Sequence, residues 1–229
     1  REVGEKDDKN EINLAFLEHK NQAFLKDYKT MKGSSILWVS DLHFGHHAFD
    51  NEGSSDYDQK LLHHMKSCSD HWLDDKNSAQ EITAFIGTGD FSWGTCSKPD
   101  TFQQANTFIA DTMSAFSFQR EDIVICTGNH DFLFEEDVKD NYQITDDSTK
   151  DYKEFYSSTL FHEPNQYFCM GRRWIFNMSI PVEIVALNTS NIQQDTNGLQ
   201  GHGYVGKNQL DYVQEEMGWE ELRQSSSNI

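Results

Sequence analysis

Gly128-Asn129-His130-Asp131 sets an amide, an imidazole and a carboxylate side by side directly after the apolar run Ile123 to Thr127. Two earlier stretches repeat that layout. Ile36-Leu37-Trp38-Val39-Ser40 runs into Asp41-Leu42-His43, and Ile82 to Thr88 runs into Gly89-Asp90. Short apolar runs followed at once by ligand-type residues read as buried strands emerging into solvent. In an open α/β sheet, ligands collect beyond the carboxyl ends of the strands. Asp41, His43, Asp90, Asn129 and His130 are therefore expected to converge on one site although they are distant in sequence. Carboxylate, imidazole and amide oxygen together suit Mn, Fe or Zn better than a cation that takes oxygen alone. Two such ions a few ångströms apart can activate water and stabilise the attacking and leaving oxygens of a phosphoryl transfer. Asp90, at the end of the middle run, is the natural bridging ligand.

The elements that must hold these residues alternate. A helix is read from about Tyr57 to Asp74, another from Asp100 to Phe116 with Asp100 as N-cap, and strands at 36–40, 82–87 and 123–127. Strands alternating with helices argue for an α/β architecture. Further along, a helix is expected over 152–160, strands over 167–170, 173–179 and 182–187 with Gly171 and Pro181 as punctuation, and a last helix over 207–217. Before the first strand, Ile12 to Met31 carries an imperfect helical stripe. The expected organisation is a helical extension at 1–33, one domain at 34–223 and a loose tail at 224–229.

Composition narrows the function. The formal charge of -19 argues against a broad basic face for duplex DNA, which needs clustered Lys and Arg. It leaves phosphate chemistry open, because bound cations bring their own positive charge. Cys68, Cys96, Cys126 and Cys169 show no CxxC spacing, so free thiols in a reducing, cytoplasmic setting are expected rather than a disulfide framework. No run approaches the ~20 apolar residues of a membrane span.

Asp41-Leu42-His43, Gly89-Asp90 and Gly128-Asn129-His130-Asp131 resemble the first three motifs of the calcineurin-like metallophosphoesterases, in order and with gaps of 49 and 39 positions. The resemblance implies two packed mixed β-sheets flanked by helices, an α/β/β/α sandwich with a dinuclear centre at its edge. It implies that Asp41 and His43 hold the first metal, Asp90 bridges, and Asn129 holds the second and reaches substrate. His130 would act on the substrate, and Asp131 would orient His130. Substrates would be phosphomonoesters or phosphodiesters: a phosphorylated small molecule, a nucleotide or a nucleic-acid end. Val182 to Ser190 and Gln209 to Val213 resemble the late strand and helix of the family. The later His and Gly-His-x-His elements do not follow, so the domain is expected to be incomplete and the chain alone to hydrolyse phosphoesters poorly. The alternative is a binding or scaffold module that keeps the fold without turnover.

Other residues carry weaker signals. His46, in Gly45-His46-His47, is a candidate substrate contact on the loop bordering the site. His64, Cys68 and His71 fall at i, i+4 and i+7 on one helix, a spacing compatible with zinc but more ordinary on a solvated face. Gly201 to Gly206 satisfies GxGxxG but follows no strand directly, so it reads as a loop. His162 and His202 read as loop residues. Phe91 and Trp93 could wall the site, with packing as their default role.

Overall fold

The computed structural model describes residues 23–45, 57–73, 81–93, 101–132, 142–143, 146–176, 179–190, 192–193 and 203–220. In order, the elements are β1 (Lys29–Thr30), β2 (Ser35–Val39), α1 (Tyr57–Leu73), β3 (Ile82–Gly87), α2 (Thr101–Phe116), β4 (Ile123–Ile125), β5 (Tyr142–Gln143), α3 (Asp146–Leu160), β6 (Met170–Phe176), β7 (Ile180–Ala186), β8 (Ile192–Gln193) and α4 (Lys207–Met217). Two three-stranded sheets form, β2-β3-β4 and β1-β6-β7, with β5-β8 a small separate pair. The first sheet is parallel throughout. In the second, β1 runs parallel and β7 antiparallel to β6.

The parallel sheet is apolar because β3 and β4 are covered on both faces. Ala84, Phe85, Ile123, Val124 and Ile125 are all buried, the near-continuous apolar pattern expected of such strands. The two sheets meet where β4 lies against β6 and β7. There Met170 Sδ sits 3.2 Å from the Ile125 nitrogen, and the fully buried Trp174 donates its indole N–H to Glu121 O at 3.0 Å. Helices α1, α2 and α3 pack on one another in turn, and α4 covers β6. This is a layered α/β sandwich.

Three segments differ from their sequence expectation. Residues 23–31 are extended rather than helical, while residues 12–22 lie outside the described part of the chain. The Leu25 and Met31 N–H groups donate to Gly171 O at 3.1 Å and Ile175 O at 2.9 Å. Two successive arginines of β6 then take carbonyls of the same segment. Arg172 Nη1 donates to Ala23 O at 2.9 Å and Arg173 Nη1 to Lys26 O at 2.8 Å. A helix would have consumed those carbonyls internally.

Residues 167–169 form the end of a turn rather than a strand. The Asn165 side chain closes it, accepting the Tyr167 N–H at 3.1 Å and donating to Cys169 O at 2.6 Å. Gly171, expected to break strands, pairs with Val185 inside β6. A Cβ there would lie 2.5 Å from Met217 Sδ and 2.9 Å from Phe24 Cδ1, so glycine is required by close packing. The tail at 224–229 lies outside the described residues.

Candidate metal centre

The carboxyl ends of β2 and β3 do not separate where the strands stop. Backbone pairing continues as Thr88 N–H to Val39 O at 3.0 Å, Asp41 N–H to Gly89 O at 3.2 Å, His43 N–H to Asp90 O at 2.9 Å and Phe44 N–H to Phe91 O at 3.0 Å. Along this seam the chain takes left-handed turns at residues with side chains: φ is 55° at Asp41, 46° at His43 and 52° at Asp90. Each such turn costs about 1 to 3 kcal/mol and persists only where surrounding structure enforces it. The strain falls on three of the residues that the strand-end pattern singles out.

The result is a cluster. His43, Asp90 and His130 each offer a ligand atom, and these atoms lie within 4.8 Å of one another. It is the one such group of three or more His, Cys, Asp or Glu among the described residues. Asp41 adjoins it, with Oδ1 3.7 Å from His43 Nε2 and Oδ2 accepting from the Ser40 hydroxyl. Asn129 begins the short 3-10 turn Asn129–Asp131 that carries His130 into the cluster. Asp90 Oδ1 accepts the His130 N–H at 2.9 Å. His46 lies outside the described residues, as do Gly201 and His202. Exposed His63, His64 and Cys68 stay on the outer face of α1, and the ring of His162 packs edge-on against Tyr156.

Asp131 does something other than orient a ring. Its Oδ2 accepts the N–H groups of Asp90 at 2.9 Å and Gly128 at 2.8 Å, and its Oδ1 accepts that of Ser92 at 3.0 Å. Ser92 Oγ in turn donates to His130 O at 2.7 Å. The buried carboxylate is thus a staple between the loops after β3 and β4. Burial pushes it up to about 7, against the pull of the Gly128 and Ser92 amides and with the Asp90 charge adding to the rise. Behind the site, burial and the Asp131 and Asp90 charges push the Cys126 thiol up to about 12. At neutral pH the thiol is therefore protonated in the metal-free protein.

Glycines allow the loops to close. Gly89, at φ 90°, would carry a Cβ 2.2 Å from Gly128 N, and a Cβ on Gly128 would meet Asp90 Oδ1 at 2.0 Å. Trp93, for which packing is the default expectation and a wall to the site the alternative, lies against both imidazoles: stacked on His130 at 5.1 Å and edge-on to His43 at 4.9 Å. Neither this nor the Asp131 staple is visible in local spacing, because apart from Gly128 every partner lies 37 or more residues away.

The donor set fits a divalent cation on two grounds. It mixes imidazole and carboxylate, which suits Mn, Fe or Zn. His43 Nδ1 is buried with no hydrogen-bond partner, a costly state that a bound cation would relieve.

A layered α/β sandwich that gathers His43, Asp90 and His130 at adjoining parallel strand ends is the architecture of a metal-dependent phosphoesterase. The model of the calcineurin-like phosphoesterase family matches residues 34–225, most of the chain, and the protein belongs to that family. No curated protein matches the chain. Metal-dependent phosphoester hydrolysis is the general chemistry of the family, and divalent cations are its usual cofactors. No helix among the described residues is long and apolar enough to cross a membrane.

Proposed function

We propose that the protein hydrolyses phosphomonoesters or phosphodiesters through a dinuclear centre held by Asp41, His43, Asp90 and Asn129. The observation that carries this reading is the convergence of His43, Asp90 and His130 within 4.8 Å at the ends of three strands, with Asp41 beside them. When bound, two divalent ions would polarise the phosphoryl group and activate water. Asp90 would help hold both ions, and its Oδ1 is oriented by the N–H that His130 donates at 2.9 Å. His130 holds a proton at its ring nitrogen for the leaving oxygen, and Asn129 and His46 steady the phosphoryl oxygens. Asp131 keeps the two loops in register. The substrate is a phosphorylated small molecule, a nucleotide or a nucleic-acid end, drawn to the local positive charge of the cations despite the protein's net charge of -19. The free thiols of Cys68, Cys126 and Cys169 accord with a cytoplasmic location.

The test is hydrolysis of p-nitrophenyl phosphate and bis-p-nitrophenyl phosphate by the full chain with Mn²⁺, before and after chelation. Chelation should abolish turnover, and Asp90→Asn should lose metal and turnover together. His130→Ala should lower turnover by about 100-fold to 10,000-fold. Turnover that survives chelation would overturn the reading.

A further inference from the structure

Trp93 is tied on both sides to the loops that carry the metal-site histidines. Its own N–H donates to Phe44 O at 3.0 Å, one residue beyond His43. Its neighbour Ser92 donates through Oγ to His130 O at 2.7 Å and through its amide to Asp131 Oδ1 at 3.0 Å. The indole is thereby delivered between the two imidazoles. It stacks on His130 with ring centres 5.1 Å apart and planes 10° from parallel, and meets His43 edge-on at 4.9 Å and 75°. The imidazoles are themselves 5.0 Å apart and nearly perpendicular. Both distances lie in the range where aromatic rings attract in offset-stacked and edge-to-face arrangements.

Asp131, the residue next to His130 in sequence, has both carboxylate oxygens engaged by three backbone amides. It does not hold the His130 ring. We propose that Trp93 is the positioning residue of this site: its face fixes the plane of the His130 imidazole, and its edge contact sets His43 at right angles to it. The inference rests on the reading of His130 as the group that works at the phosphoester, and adds what keeps it aimed. A displacement of about 1 Å at such a group costs about 100-fold in rate, so loss of the stacking face should appear in turnover.

The experiment compares wild type, Trp93→Ala, Trp93→Phe and Trp93→Leu in the full chain. In the metal-free protein, the imidazole C–H resonances of His130 are followed by NMR. They should carry an indole ring-current shift that vanishes in the Ala and Leu variants and partly returns in Phe. With saturating Mn²⁺ and bis-p-nitrophenyl phosphate, kcat should fall about 10-fold to 100-fold in Ala and Leu, with KM little changed, and recover in Phe. The Leu variant fills the volume without offering a ring, so the comparison holds even where Ala fails to fold. His130 resonances unmoved in Trp93→Leu, or a Phe variant no better than Leu in kcat, would overturn the proposal. His130→Ala with full turnover would instead remove the role given to His130 and leave the NMR result standing, which separates the two failures.

Discussion

Gly128→Ala adds one carbon at the tightest point of the site. The backbone there, φ -100° and ψ 178°, is open to any residue, so the cost is purely steric. The new Cβ would stand 2.0 Å from Asp90 Oδ1 and 2.3 Å from Asp90 N, where ordinary contact begins at 3.4 Å. The two loops must therefore part by more than about 1 Å. Such a movement breaks the 2.9 Å bond from the His130 amide to Asp90 Oδ1 and loosens the 2.8 and 2.9 Å bonds that Asp131 Oδ2 accepts. Two or three bonds at about 1 kcal/mol each give a destabilisation of about 2 to 3 kcal/mol. Displacing the groups that orient a metal ligand should also weaken cation binding about 10-fold to 100-fold.

Urea unfolding of the metal-free chain and calorimetric titration with Mn²⁺ read the two effects separately. Gly33→Ala is the control. Its Cβ would clash as badly, 2.2 Å from Glu81 O, but at the opposite end of β2. It should lower stability and leave Mn²⁺ affinity alone. If Gly128→Ala bound Mn²⁺ as wild type does, or if both variants lost affinity equally, the loop contact would not be what shapes the metal site.

Arg173 joins three segments, donating to Glu183 Oε1 at 2.9 Å, Lys26 O at 2.8 Å and Met217 O at 2.6 Å. Arg173→Met should cost about 2 to 4 kcal/mol in urea unfolding, below the fully buried case because Glu183 is partly exposed, and a loss under about 1 kcal/mol would contradict it. Glu183 is raised by burial but held, on balance, below the usual carboxylate range by hydrogen bonds from Trp219 and Tyr28 and by the Arg173 guanidinium. Its depressed folded-state pKa means that its contribution is present above the ordinary carboxylate value and is lost as pH falls through the depressed one. Wild type should therefore lose its advantage over Glu183→Gln in acid, and parallel stability profiles from pH 7 down to about 3 would refute this.

Where the sequence was informative, the signal was local. Ile82 to Gly87 and Lys207 to Met217 were legible to the residue, the first as an unbroken apolar run and the second as an amphipathic helix between Gly206 and Gly218. The three strand ends that bring His43, Asp90 and His130 together were legible for the same reason, since each motif sits beside its own strand. What escaped depends on remote partners. The apolar spacing of Ala23, Phe24 and Met31 fits a helix until β6 supplies a strand to pair with. Gly171 looks like a chain break until Phe24 and Met217 close on it. Asp131 lies next to His130 in sequence, yet its carboxylate finds amides of the loop after β3 because the 3-10 turn faces it inward. Trp93 resembles any packing aromatic until the loops after β2 and β4 bring two imidazoles to its ring.

The seam between β1 and β6 has a consequence for how the molecule is made. Arg172 reaches a carbonyl 149 residues earlier in the chain, and closing a loop of that length costs about 4 kcal/mol in chain entropy beyond a constant. A ribosome adding about 5 to 20 residues per second needs roughly 7 to 30 s to travel that far. Throughout that interval the segment around the first strand is synthesised and unpaired, with its flanking apolar residues uncovered, while the parallel sheet between the two partners can already assemble. Phe24 and Met31, both buried in the finished protein, are then natural holding points for a chaperone. Of the two three-stranded sheets, the one completed later is the one that contains the first strand of the described residues.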